Sequence, residues 1–398
     1  MMLLARRMAG RLLALLLMSF GISAANVYGA DPSSALLKAK TEAEAKGFLF
    51  AASHDEIVSK AKQEGKLRVI VSLDAGILKR LSEGFTKKYP FIQVQADEIR
   101  GIDAYTRQLQ ELKAGLAKGI DVNEVDYDYY NEYLPHLKKV DMYGMAEQRV
   151  IQMPLQMVDP SNRNIVAVGS GIQVVAYHNK LLAADSVPDT WEGFLKPEFK
   201  DRKFTLGMRP KDVAALVPAW GLEKTLDFAR KLAAQNPVWV SGDTRTITSM
   251  LAGEYALFFG PNYDSVLRAK NKDKADVLGY KLVEPVIVRL NESEGILASA
   301  ERPYAALLWL EFVASADGQK VLEEGGPYEG SVFIQGTVQE KAVRGKKQSL
   351  VDWRHYSKMP EYMKKVGTEK GSSPLLAFCQ HSDNSSSPSV DLSVLRYP

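Results

Sequence analysis

Residues 67–73 (Leu-Arg-Val-Ile-Val-Ser-Leu) form a run suited to a buried strand, and residues 76–88 read as a helix. Residues 91–95 (Phe-Ile-Gln-Val-Gln) then make a second strand after Tyr89-Pro90. Strand, helix and strand in succession describe a βαβ unit with a right-handed crossover, so the chain is committed to a parallel pair covered by helix. Ile102, Tyr105, Leu109, Leu112 and Leu116 recur at helical spacing, which predicts a helix over 102–118 ended by Gly119. Apolar runs at 165–168, 172–177, 256–259 and 282–288 read as further strands, separated by helices such as 222–234 and 303–323. The alternation predicts an α/β architecture. Residues 34–64 are rich in Ala, Lys, Glu and Gln without proline and read as a helical arm ahead of the first strand.

At 398 residues, with 46% hydrophobic and 25% charged side chains, the chain is long enough for two or three domains and has an ordinary globular composition. Wholesale disorder and a multi-span membrane protein are excluded. Arg6, Arg7 and Arg11 precede an apolar run at 12–22 and the small residues Ser23-Ala24-Ala25, the order of a secretory signal peptide over 1–25 with cleavage between 25 and 30. Those arginines account for the whole excess of 51 basic over 48 acidic residues, and the remaining chain is neutral. A neutral chain has no global attraction for nucleic acid, which is not expected as a partner. Cys379 is the sole cysteine, so no internal disulfide forms. Residues 371–398 hold eight serines, three prolines and no lysine, and read as a low-complexity tail.

Walker A, GxGxxG, HExxH and GxSxG motifs are all absent, and no two of the five histidines stand at i,i+3 or i,i+4. No enzyme activity is expected.

Five segments in order carry a resemblance. Glu64-Gly65-Lys66-Leu67 leads into Val69–Leu73 and then Phe85-Thr86-Lys87-Lys88-Tyr89-Pro90; Arg107-Gln108-Leu109 with Ala114-Gly115 precedes Asp121-Val122. Gly169-Ser170-Gly171 runs to Tyr177-His178-Asn179-Lys180 and Pro188-Asp189-Thr190-Trp191-Glu192-Gly193-Phe194-Leu195-Lys196-Pro197. Ala252-Gly253-Glu254-Tyr255-Ala256 and Gly318-Gln319-Lys320-Val321-Leu322 complete the set. From about residue 55 to 365 the chain resembles the bacterial extracellular solute-binding proteins of ABC importers, in particular their ferric-iron-binding branch. The resemblance implies a two-lobed type 2 periplasmic-binding fold, each lobe a mixed sheet flanked by helices, with hinge crossovers between lobes. Lobe 1 would comprise 65–160 and 285–365, and lobe 2 would comprise 161–284. It further implies a periplasmic monomer without a cofactor, which captures a metal complex, an oxyanion or a small organic solute and hands it to an inner-membrane ABC permease. The alternatives are a dedicated ferric-iron-binding protein and a secreted sensor without a transporter.

In α/β lobes ligands sit at the carboxyl ends of strands beside helix N-termini. Ser72 and Asp74 follow the first strand and either face that cleft or cap the next helix. Ser170 and Gly171 are expected to offer hydroxyl and backbone N–H groups to ligand oxygens, or to form a plain turn. Arg209, after Phe204-Thr205-Leu206, is a candidate counter-ion for an anion. Asp243 is read as a helix cap and Thr244 as a contact. In the tyrosine-rich stretch 127–133, Tyr129 is the first choice for the cleft mouth. The ferric branch carries two adjacent tyrosines where this chain has Asn262, Tyr263 and Asp264. If iron is the cargo, Tyr263, Asp264 and Tyr129 are its expected oxygen ligands.

Overall fold

A computed structural model describes residues 34–325 and 330–369; the signal-peptide and tail assignments lie outside the described residues. The described residues form ten strands: β1 (Lys66–Val71), β2 (Gln93–Glu98), β3 (Val122–Glu124), β4 (Ile165–His178), β5 (Thr205–Gly207), β6 (Val238–Val240), β7 (Leu257–Asn262), β8 (Leu278–Lys281), β9 (Val286–Ile296) and β10 (Gln348–Val351). They are ordered β2-β1-β3-β9-β4-β7-β5-β6, with β10 on β9 and β8 on β4. The βαβ expectation is met, because β1 pairs with β2 in parallel, Lys66 against Gln93 through Val71 against Glu98. At the other end β5 lies parallel to both β6 and β7.

Two long antiparallel strands join these parallel regions. Ile165 to Ile172 of β4 pair with β9, and Gln173 to His178 pair with β7 and β8. The sequence reading splits β4 into two strands at Gly169-Ser170-Gly171, but the backbone runs on without a turn. There Gly169, Ser170 and Gly171 pair with Asn291, Leu290 and Arg289. Small residues interrupt the apolar pattern without ending the strand. On β9, Glu292 takes φ 49 between Asn291 and Ser293. A non-glycine residue in that region costs on the order of 1 kcal/mol and is concentrated at functional sites.

The first core is built from alternate residues of β1 (Leu67, Val69, Val71) and from Ile77, Leu78, Leu81 and Phe85 of the helix Ala75–Lys88. Phe85 meets Trp309 edge-on, with ring centroids 5.4 Å apart. Full burial of each such side chain is worth roughly 2–3 kcal/mol. Trp309 lies on the helix Pro303–Ala314, which is buried nearly all round. The expected single helix over 303–323 breaks at Ser315, whose Oγ donates to the Phe312 carbonyl and accepts from Gly318 N. At Gly318 a Cβ would stand 1.9 Å from the Phe312 oxygen, so only glycine permits this close turn. The 34–64 region forms helices Ser34–Ala45 and His54–Glu64, which contribute Ala43, Ile57 and Ala61 to the same core.

A second core gathers Trp191, Phe194, Phe204, Phe228 and Phe259. Trp191 Nε1 donates to the Pro285 carbonyl at 2.9 Å. Val351, Met359, Tyr362 and Val366 also pack here, where the sequence-based boundary expects residues up to 365 in lobe 1. The physical reason is the pairing of β10, which lies parallel to the Val286–Arg289 end of β9, on the second-core side of the crossing. Among the described residues, no helix is long and apolar enough to cross a membrane.

Candidate functional site

The carboxyl ends of β1, β3 and β5 and the C-terminal end of β7 open onto one cavity of ≈ 510 Å³, floored by the middle of β4 and β9. Nine of the ten residues singled out from the sequence line it: Ser72, Asp74, Ser170, Gly171, Arg209, Thr244, Asn262, Tyr263 and Asp264. Ser72 and Asp74 follow β1. Asp74 also caps the helix Ala75–Lys88, its carboxylate accepting from Gly76 N at 3.0 Å, so the two readings of this residue hold together. Ser170 Oγ accepts from Val332 N at 3.1 Å, which ties the cavity floor to the chain entering after Gly330.

Tyr129 is not among the lining residues. It closes the 3₁₀ turn Tyr127–Tyr129, and at three residues per turn side chains two positions apart point in different directions. Tyr127 therefore faces the cavity, while Tyr129 stays against the flanking helix, its hydroxyl 3.1 Å from Thr106 Oγ1. The set Tyr263, Asp264 and Tyr129 is accordingly not assembled. Asp264 is paired with Arg268 one helical turn on, and the Tyr263 hydroxyl lies 3.3 Å from that of Tyr280. Gly242, not Asp243, is the N-cap of the helix Asp243–Leu251. The Asp243 carboxylate instead accepts from Asn262 N at 2.9 Å, holding β7 against that helix.

Sequence reasoning missed Tyr105, Glu124, Asp126, Lys211, Arg289, Glu292 and Tyr356, all of which line the cavity. Arg289 and Glu292 lie past the predicted strand end at 288, and the alternation Arg289-Leu290-Asn291 is the signal that could have extended that strand with a polar face on the cavity.

Charge is divided across the cavity. On the side of β1 and β3, Glu124 is buried and accepts from Ser72 N at 3.1 Å. Burial, and then the nearby carboxylates of Glu292 and Glu294, hold its carboxyl well above the usual range. Burial pushes Asp126 up to about 6 and the Tyr127 phenol up to about 12. Ser72 Oγ donates to the Glu292 carboxylate. Across the cavity stand Arg209, Lys211, Arg268 and Arg289. Burial, and then Arg289, lower the pKa of Lys211, whose ammonium lies 4.0 Å from Asp212 Oδ1. Arg289 Nη2 donates to Asn262 Oδ1 at 2.7 Å, and its Nε is buried with no acceptor. One pair spans the two sides: Arg209 Nη2 donates to Asp128 Oδ2 at 2.5 Å and to the Tyr127 hydroxyl at 3.0 Å. Among the described residues no group of three or more His, Cys, Asp or Glu side chains is arranged to hold a metal ion.

The fold is that of known binding proteins. Iron-bound HitA from Pseudomonas aeruginosa superposes with a TM-score of 0.59 at 17% identity, covering 77% of this chain and 99% of that one. Apo ferric ion-binding protein A from Pasteurella haemolytica gives 0.60 at 17% identity, with 78% and 100% covered. The substrate-binding protein of an ABC transporter from Agrobacterium tumefaciens gives 0.57 at 16% identity, with 78% and 97% covered. These likenesses establish the type 2 periplasmic-binding fold. A search of curated protein sequences finds no match. The family model described as bacterial extracellular solute-binding protein matches residues 124–359, more than half of the chain, and the chain therefore belongs to that family.

Proposed function

We propose that this protein is the periplasmic binding component of an ABC importer, which captures a small charged solute between its lobes and delivers it to an inner-membrane permease. The observation that carries the reading is the convergence of strand carboxyl ends from both halves on one polar cavity crossed by two continuous strands. Membership of a solute-binding family and likeness to an importer's binding protein support it. In this reading the lobes meet at β4 and β9, and a ligand touching both walls stabilises the closed arrangement, the form that docks on the permease. The Arg209–Asp128 pair adds to closure. We read the protein as a monomer that binds its cargo and performs no chemistry on it.

Ferric iron is the second reading, favoured by likeness to ferric-binding proteins. In this chain Tyr127, Glu124 and Glu292 would be the oxygen donors to consider, since Tyr129 is turned away and Asp264 is taken by Arg268. A thermal-shift panel of ferric citrate, inorganic phosphate, and small organic acids and amines tests both readings. A rise in Tm with a charged solute, lost in Arg289→Gln, is expected. Ferric citrate as the sole stabiliser would favour the second reading, and an unchanged Tm throughout would contradict both.

A further inference from the structure

We propose that the solute is a phosphate monoester of a small hydroxylated molecule, its phosphoryl group held between Lys211 and Arg289. This rests on the cavity being the ligand site. Arg289 lies on the cavity floor, where it pairs with Gly171 across β9 and β4, and a Cβ at Gly171 would stand 3.6 Å from its Nη2. Its Nη2 donates to the neutral amide of Asn262 at 2.7 Å, and its Nε is buried with no acceptor. A buried guanidinium N–H without a partner leaves its desolvation uncompensated, and an anion placed there supplies the missing acceptor. Lys211 lines the same end and approaches Asp212 only to 4.0 Å, while Asp212 Oδ1 accepts from Gln173 Nε2 at 2.6 Å. Burial, and then Arg289, lower the pKa of Lys211, the mark of two cations facing each other, which an anion between them reverses. Asn262 turns its Oδ1 to Arg289, which leaves its Nδ2 as a further donor, and the Thr244 hydroxyl lines the same end. Two cations with added N–H and O–H donors match a phosphate monoester, which offers three oxygens and a charge of roughly −1.5 to −2 near neutral pH. A carboxylate offers one charge and two oxygens.

The remainder of the cavity defines the body of the molecule. Its ≈ 510 Å³ falls within the roughly 300–1,000 Å³ of sites that enclose organic ligands, and a single tetrahedral ion leaves most of it unfilled. Beyond the basic end the lining is formed by Tyr105 and Glu124 and, from β9, by Asn291 and Ser293. Burial holds the Glu124 carboxyl well above the usual range, so it meets a ligand as a neutral group that both donates and accepts. A hydroxyl answers such a partner in both senses, whereas a bare alkyl chain would leave it unmatched.

The test is isothermal titration of the full mature chain, in buffer containing EDTA, with glycerol 3-phosphate and glucose 6-phosphate. Their carboxylate counterparts glycerate and gluconate, propyl phosphate and inorganic phosphate serve as controls, and ferric citrate is titrated without EDTA. The expected result is that one of the two hydroxylated phosphate monoesters binds at least tenfold more tightly than every control. Lys211→Gln should weaken that monoester tenfold or more, and so should Arg289→Lys, which keeps the charge but loses the Nε donor. Far-ultraviolet circular dichroism and Tm of each variant separate lost binding from lost fold, and the ratios between probes are read on the wild type if a variant does not fold. A carboxylate, propyl phosphate or inorganic phosphate binding as tightly as the monoesters would overturn the inference and leave the capture function standing. Ferric citrate binding alone would do the same. No binding of any probe would overturn the inference, and only the further absence of a co-purifying solute would overturn the capture function with it.

Discussion

The wall that carries Ser72, Asp74, Glu124 and Asp126 and the wall that carries Arg209, Lys211, Thr244 and Asp264 are built by the same device. Each places side chains just beyond the ends of short strands, where loops enter helices. They differ in charge. On the first wall Glu124 and Asp126 line the cavity beside Arg100, which pairs with Glu98 at 2.8 Å and with Asp74 at 3.8 Å; on the second Lys211 and Arg289 line it beside Asp264, which pairs with Arg268. Equal architecture with opposite charge teaches that the fold sets where a ligand sits, while the side chains placed at the strand ends set the charge it meets.

The comparison breaks most sharply at Arg289. Arg289→Gln removes the cation that stands on the floor strand and whose buried Nε has no acceptor, and should weaken the co-purifying solute by about 100-fold, roughly 3 kcal/mol, in a calorimetric titration. A change below threefold would mean that the basic wall does not hold the ligand.

The acidic wall has its own signature in pH. Burial, opposed by the hydrogen bond from Trp309 and reinforced by Glu292, raises Glu294 behind that wall from 4.5 to about 8. The folded chain therefore keeps this proton better than the unfolded chain. The resulting stability is full below about pH 4.5 and is lost as pH rises toward 8. Glu294→Gln keeps an acceptor for Trp309 and should raise stability at pH 8 by about 2–4 kcal/mol, with little effect at pH 4.5, in denaturant titrations at the two pH values. Equal effects at both would remove the charge argument from this wall.

The pair that joins the walls is worth less. Arg209 is half exposed, so Arg209→Ala should shift the unliganded chain toward an open form by about 0.5–1 kcal/mol, seen as a larger radius of gyration in small-angle scattering. An unchanged radius would show that the pair does not bias closure. The smallest effect is expected at Tyr129: Tyr129→Phe should leave affinity within twofold, whereas Tyr127→Phe, which removes the hydroxyl on Arg209, weakens it several-fold. The reverse order would reinstate Tyr129 at the cleft.

The parts of this molecule legible in the sequence are those set by local periodicity. The βαβ unit at β1 and β2 follows from apolar alternation and a helical stripe, and the positions of Ser72, Asp74 and Arg209 follow from lying just past strand ends, whereas Asn262 is reached only through the family resemblance. What the sequence hides is set by pairing across long separations. Gly169-Ser170-Gly171 looks like a break because nothing local reveals that β9 runs alongside it. Glu124 ends a strand of three residues, too short for a pattern to form, and Tyr356 reaches the cavity from far along the chain. The choice between Tyr127 and Tyr129 depends on the phase of one 3₁₀ turn, which aromatic spacing does not fix.

Native mass spectrometry with metal analysis of the mature protein, purified from its own periplasm, tests the central claim most directly. The account predicts a single non-covalent adduct of small organic mass, retained through buffer exchange, free of stoichiometric metal and absent from Arg289→Gln. A protein that carries no adduct and accepts none from a periplasmic extract would contradict the claim that this cleft captures a solute.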